Sequence, residues 1–138
     1  MYATLAELKK KLPADVLVAL TDDGGSGVID TAIIDADLKA ADVEIDGYLG
    51  GRYTLPLSPL PEIVIKLAVD ITIYNLYGRR QGPPEHWQKR YDNAVRYLVK
   101  VAGGSVSLGL GDPEAPAADE AMITSSARIF SRETLKGF

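Results

Sequence analysis

The chain of 138 residues contains no cysteine and a single histidine. Without cysteine it has no disulfide bond, no thiol nucleophile and no zinc site of the cysteine type. A metal-binding or catalytic role for His86 would need partner residues, and there is no second histidine or cysteine to serve. We therefore interpret His86 as a surface residue near the start of a helix.

The sequence also lacks a long apolar run and an excess of positive charge. Lys66 and Asp70 interrupt the most apolar stretch, so no run reaches the roughly 18 residues that span a bilayer. The lysines near the N-terminus follow the apolar residues, and we expect no signal peptide. A net charge of −4 argues against general affinity for nucleic acid, which requires many cations facing phosphates. We predict that the chain binds neither membranes nor specific nucleic acid.

What the sequence does have is a helix, residues 61–78, around which the rest is organised. Prolines precede it, and from Pro61 to Gly78 nothing breaks the helical pattern. Apolar residues recur at spacings of three and four on one face and also fill much of the opposite face. Because a helix that is apolar nearly all round is buried on more than one side, we predict that this one is central.

Other helices flank it. Thr4 and Glu7 have the spacing of a capping box, and Pro13 separates two short helices. Asp30 is a candidate N-cap for an amphipathic helix that ends at glycines 50 and 51, and a last helix covers residues 84–102. The predicted fold is all-α: a small bundle of four to five helices around a central buried helix, with an extended C-terminal arm.

The composition changes after residue 104. Residues 105–121 are rich in Gly, Pro, Ala and acids, which is typical of an exposed linker or loop. Residues 122–138 are short and mixed; Ile123, Ala127 and Ile129 suit either an edge strand or an arm that docks on another surface. The predicted organisation is a helical domain over 1–104, a linker over 105–121 and an arm over 122–138.

No motif in the chain carries a recognisable chemistry. The acids between Asp35 and Asp46 lack the glycine and glutamate positions of a calcium loop. The two glycine clusters match neither phosphate-binding pattern, and the serines of the arm have no base beside them. We predict that the protein is not an enzyme and has no catalytic residue, metal or cofactor. Most aromatic residues fall at inward helical positions, whereas Tyr53 and Tyr77, near helix ends, are candidates for interface contacts.

Several segments together resemble a known protein family. They are IDGYLGGRYTLPL (45–57), PEIVIKLAVDITIYNLYGRR (61–80), a helix carrying Tyr91 and Leu98, and RIFSRETLKGF (128–138). The chain resembles Mu-like prophage proteins of unknown function that are grouped with head–tail connector proteins. The resemblance covers nearly the whole chain. Its most specific parts lie in the first and the last of these segments, and neither encodes a chemical activity.

The resemblance implies a structural adaptor of a tailed phage or prophage, made in the bacterial host cytoplasm. It would form a homo-oligomeric ring beneath the portal at the head–tail junction of the virion and dock the tail, with portal and tail-side proteins as partners. The alternative is a monomeric helical module of a bacterial host that regulates or binds a ligand.

Charge distribution indicates how subunits of a ring would meet. Residues 1–50 carry a net charge of −6, and residues 79–100 carry a net charge of +4. Ring contacts join two different surfaces of the subunit, and opposite charges suit such contacts. We hypothesise that the acidic helix faces the basic region of the next subunit. The alternatives are that the two regions neutralise each other within one chain or that both are simply solvated. The candidate interface residues are Asp35, Asp42, Asp46, Arg79, Arg80, Arg90, Arg96 and, in the arm, Arg128 and Phe130.

Overall fold

The computed structural model describes residues 1–110, which contain five helices and no strand. The helices are α1 (Leu5–Lys9), α2 (Ala14–Thr21), α3 (Thr31–Leu49), α4 (Glu62–Gly78) and α5 (Glu85–Ala102). Residues Met1–Leu108 form one compact unit. The all-α prediction is confirmed. The predicted arm over 122–138, with Arg128 and Phe130, lies outside the described residues, as does most of the predicted linker.

Two of the predicted helix caps are present. The Asp30 side chain accepts hydrogen bonds from the backbone N–H groups of Ala32 and Ile33, at 3.0 and 3.4 Å. The Thr4 hydroxyl accepts from the backbone N–H of Glu7 at 3.4 Å. These bonds satisfy backbone donors that the first turn of a helix leaves free, and so fix where α3 and α1 begin.

Helix α4 is the centre of the unit, as the sequence predicts. It contacts α1, α2, α3 and α5. Seven consecutive residues, 67–73, are all buried, so for nearly two turns the helix has no face toward solvent. The one ionisable residue in that stretch is Asp70, and the hydroxyl of Thr72 donates to the carbonyl oxygen of Ala68 at 2.7 Å.

Helices α3 and α5 pack on α4 and on each other. The inward side of α3 holds Ile34, Leu38, Ala41, Ile45 and Leu49, and that of α5 holds Trp87, Ala94, Leu98 and Val101. Two tyrosines predicted to be inward, Tyr48 and Tyr91, are only half-buried. The two tyrosine rings lie at the edges of the helix contacts, and Leu49 takes the buried position at the end of α3.

The connection from α3 to α4 closes one end of the core. Tyr53 is 7% exposed, and its hydroxyl accepts a hydrogen bond from the backbone N–H of Leu108 at 3.0 Å. The prediction of Tyr53 as an interface contact is therefore wrong, because the ring is enclosed by its own chain. Leu108 is also buried, so the first residues of the predicted linker pack on the helical unit. The peptide bonds preceding Pro56 and Pro59 in this connection are cis.

The end of α5 is fixed by two glycines. Gly104 has a φ of 88°, and its N–H donates to the Val101 carbonyl at 3.1 Å, while the Ser105 N–H donates to that of Lys100 at 2.9 Å. This paired arrangement closes the helix end with a residue in the left-handed region. A Cβ at Gly104 would also lie 3.0 Å from the Arg52 guanidinium, which donates to the same Val101 carbonyl.

Candidate interaction surface

Arg79 and Arg80, two candidate interface residues, bind the end of α2 within the chain. Arg79 donates to the Leu20 carbonyl at 2.6 Å, and Arg80 donates to the Ala19 carbonyl at 3.3 Å. Both guanidinium groups also pair with the Asp23 carboxylate, at 2.6 and 2.8 Å. Arg79 first, and then Arg80, lower the pKa of Asp23 through these hydrogen bonds. Cations beside the free carbonyls of a helix end are favourable, so this pair anchors α2 to the end of α4.

The acidic candidates on α3 divide into two kinds. Asp42 accepts the backbone N–H of Tyr2 at 3.1 Å and lies 3.9 Å from the N-terminal amine, and Asp46 accepts the Tyr2 hydroxyl. Burial raises the pKa of Tyr2, and the bond to Asp46 raises it further. Asp35, by contrast, is exposed. Asp42 and Asp46 therefore hold the N-terminal segment against α3, and Asp35 is the member of the trio that faces solvent.

Arg90 belongs to a charged cluster around Asp70. The Asp70 side chain is 1% exposed, and its Oδ2 accepts from the Lys66 ammonium group at 2.8 Å. Its Oδ1 has no hydrogen bond within residues 1–110 and lies 3.8 Å from Arg90, whose guanidinium also sits 5.1 Å above the Trp87 ring. A buried carboxylate is tolerated only near compensating charge, which Lys66 supplies from within α4 and Arg90 from α5. The Arg90 contact therefore ties the start of α5 to the middle of α4.

This cluster makes a stability prediction. Lys66→Met removes the 2.8 Å donor to a carboxylate that is 1% exposed. We expect a loss of about 1–3 kcal/mol in the free energy of unfolding, the usual effect of leaving a buried polar group unsatisfied. Urea denaturation measures it. The double variant Lys66→Met/Asp70→Asn should recover part of the loss because the charge is gone. A Lys66→Met chain as stable as the parent would contradict this account of the cluster.

The remaining basic residues of α5 lie on its outer side. Lys89, Arg96 and Lys100, at spacings of seven and four, share one exposed face of the helix, which we call the basic stripe. Within it Arg96 donates to the Asn93 side chain at 2.6 Å, and Lys89 pairs with the exposed Glu85 at 3.4 Å. Both contacts are local to α5 and exposed, so the stripe remains available to an external partner.

Three helices bring tyrosines together at a second location. The rings of Tyr74 on α4 and Tyr91 on α5 stack, with centroids 3.8 Å apart and planes inclined by 11°. The Tyr91 hydroxyl donates to the Glu44 carboxylate of α3 at 2.9 Å. Tyr48, one turn after Glu44, lies near enough to act electrostatically on Tyr91. All four side chains are half-buried. We call this group the tyrosine surface.

The contacts of Tyr91 in the tyrosine surface predict that the stability of the folded chain depends on pH. Burial first, and then the bond to Glu44, raise the pKa of Tyr91 from its ordinary value of 10.0 to about 12. The folded chain keeps this proton where the unfolded chain releases it. The resulting stabilisation is complete below pH 10 and is lost as the pH rises through the folded pKa of about 12.

We expect Tyr91→Phe, which keeps the ring, to reduce the fall in melting temperature over that alkaline range. Thermal melts at a series of pH values measure it. Glu44→Gln serves as a second variant and should lower the pKa of Tyr91 without restoring the ordinary value, because burial remains. Parallel curves for the parent and Tyr91→Phe would contradict the assignment.

No cluster of His, Asp or Glu within residues 1–110 is arranged to hold a metal ion. His86 is exposed and lies beside the Trp87 ring, with 5.4 Å between centroids. An open groove of about 430 Å³ between α1 and α4 is lined by Ile65, Val69 and three lysines and two glutamates, Lys10, Lys11, Lys66, Glu7 and Glu62. Its charges are nearly balanced. Over the same residues, no helix is long and apolar enough to cross a membrane.

The candidate interface residues predicted from the sequence thus do not all face outward. Arg79, Arg80, Asp42 and Asp46 have partners inside the chain, whereas Asp35 and Arg96 face outward. Sequence reasoning did not find the tyrosine surface, since helical spacing places its members at inward positions. A signal was present in the size of the side chains, because a tyrosine at the edge of a helix contact keeps its polar tip near water.

Comparison with known proteins identifies the family of the chain, which its geometry alone does not. Residues 2–125 match the protein family described as Bacteriophage Mu, Gp36. The chain is 34% identical over 140 residues to the Mu-like prophage FluMu protein gp36 of Haemophilus influenzae, with 100% of this chain and 98% of that protein covered. It is 29% identical over 143 residues to gene product J of Escherichia phage Mu, covering 99% of this chain and 98% of the phage protein. The chain therefore belongs to the Bacteriophage Mu Gp36 family of phage and prophage proteins.

Proposed function

We propose that this phage protein is a structural head–tail connector that forms a ring beneath the portal and docks the tail. The observation that carries the proposal is the match, over essentially the full length, to chains of phage Mu and a Mu-like prophage. The resemblance to Mu-like prophage proteins that are grouped with head–tail connector proteins points to the specific role. A compact helical unit with charged outer faces suits such a role, which requires binding surfaces and no catalytic site.

Removal of the gene from its phage or prophage tests the role. Without a connector, filled heads and finished tails should accumulate separately, and electron microscopy of lysates would show both. Supplying the intact chain from a plasmid should restore joined particles. Infectious virions formed without the gene would contradict the proposal, as would an arrest before heads are completed.

Ring contacts in this proposal join the outer side of α3 to the basic stripe of the next subunit. Asp35 and Arg96 are the best placed of the candidate residues, since Asp35 is exposed and, within residues 1–110, Arg96 contacts only Asn93 on its own helix. Asp42 and Asp46 are less suitable for a test, because reversing their charge would also release Tyr2.

We expect Asp35→Lys to weaken assembly of the full chain and Arg96→Glu to restore part of it in the double variant. Light scattering at low and physiological salt measures the assembled mass, and the effect should be larger at low salt because exposed charges are screened. Asp15→Lys, at an exposed acid of α2, is the matched control. If neither charge reversal changes assembly, the proposed contact is wrong. A chain that stays monomeric at every concentration would favour the alternative, a binding module of the host.

A further inference from the structure

The tyrosine surface has binding capacity that no contact within the described residues 1–110 uses, so it is open to a partner. Tyr74 and Tyr91 stack on each other, and the half-buried pair remains partly open to solvent. Oε2 of Glu44 accepts the Tyr91 hydroxyl, and a carboxylate can accept several further hydrogen bonds through its two oxygens. Val43, the residue before Glu44 in α3, is 64% exposed and lies on the solvent side of that helix.

The chemistry of this surface selects a particular kind of partner. Aromatic faces attract guanidinium groups, and a carboxylate pairs with the same groups through charge-assisted hydrogen bonds. Tyrosine and arginine are also enriched among the residues that contribute most to protein interfaces. A segment with arginine next to large apolar side chains would therefore complement the tyrosine surface.

The chain itself contains such a segment beyond the described residues. Residues 128–132 read RIFSR, and residues 122–138 as a whole carry three basic side chains and one acidic one. The positively charged segment would be repelled by the basic stripe of α5. The tyrosine surface would repel the segment less, because the adjacent cation Arg90 contacts the Asp70 carboxylate and the Trp87 ring.

We propose that the tyrosine surface of one subunit binds residues 128–132 of a neighbouring subunit. An arginine of that segment pairs with Glu44, and Phe130 packs against the tyrosine rings. The inference rests on the proposed function, which places copies of the chain side by side. It goes beyond that function by naming the two surfaces that meet and the chemistry that joins them.

Because the chain has no cysteine, single thiols can report this contact in the full-length protein. One preparation carries Val43→Cys and a second, distinguished by a tag of different mass, carries Ser131→Cys. After mixing, a short bis-maleimide should join the two chains into a mixed dimer, which is quantified on a denaturing gel. Lys9→Cys, at an exposed position of α1, replaces Val43→Cys in the matched control.

We expect several-fold more mixed dimer from Val43→Cys than from Lys9→Cys, and a several-fold loss when Glu44→Gln or Arg128→Glu/Arg132→Glu is added. Glu44→Gln keeps an acceptor for the Tyr91 hydroxyl and removes only the charge, so its effect does not depend on unfolding. Equal yields from both cysteine positions, or no mixed dimer from either, would overturn the proposal. A chain that restores head–tail joining in the gene-deletion test but fails this one would retain the connector role and lose only the proposed contact.

Discussion

Leu67→Ala and Ile71→Ala should each reduce the free energy of unfolding by about 2–5 kcal/mol, the usual cost of removing a buried aliphatic side chain. Leu67 is 2% exposed and Ile71 is fully buried, and both lie in the stretch of α4 that has no face toward solvent. Each truncation leaves a cavity between α4 and its neighbours that a closely packed core cannot collapse. Urea denaturation of the purified variants measures the loss.

Val43→Ala and Val99→Ala are the matched controls, because both remove methyl groups from helices at positions that are 64% and 53% exposed. They should change stability by no more than about 0.5 kcal/mol. Core variants that melt within a degree or two of the parent would show that α4 is not the centre of the fold.

Deletion of residues 118–138 should leave the chain folded but unable to assemble. Within residues 1–110, Leu108 is the last buried residue, and the compact unit ends there. Circular dichroism and the cooperative melt should therefore be close to those of the parent. Assembly should fail because residues 128–132, which we assign to the subunit contact, are absent.

Deletion of 133–138 alone, which keeps that segment, is the useful comparison and should retain at least part of the assembly. If the longer deletion unfolds the chain, residues 118–138 contribute to the core. If it assembles normally, the assignment of the arm to subunit contacts is wrong.

The helices could be predicted from the sequence because their signals are local. Pro61 and Gly78 bound α4, and Asp30 supplies the side-chain cap of α3. Apolar spacing gave the inward faces for the same reason, since a helix turns by a fixed angle at each residue. The central position of α4 followed from apolar side chains on both of its faces.

Charge partners were not predictable in the same way, because they depend on which helix ends meet in space. Arg79 and Asp23 are far apart in the sequence, and only the packing of α2 beside the end of α4 brings them to 2.6 Å. Asp46 and the Tyr2 hydroxyl are similarly joined by the path of the N-terminal segment. Net charge over a stretch of sequence thus overstated how much of it is available to a partner. Residues such as Asp35, which have no such partner in the described part of the chain, are the better guides to an interface.

The connector account is tested most directly by a cryo-electron microscopy map of the neck of virions that contain this chain. If the chain is a connector, the map should show a ring between portal and tail in which copies of residues 1–110 fit with α4 enclosed in each subunit. In that ring, density for the C-terminal segment of one copy should lie on Glu44, Tyr74 and Tyr91 of the next. A ring at that position built from a different protein, with this chain elsewhere in the particle or missing from it, would contradict the account.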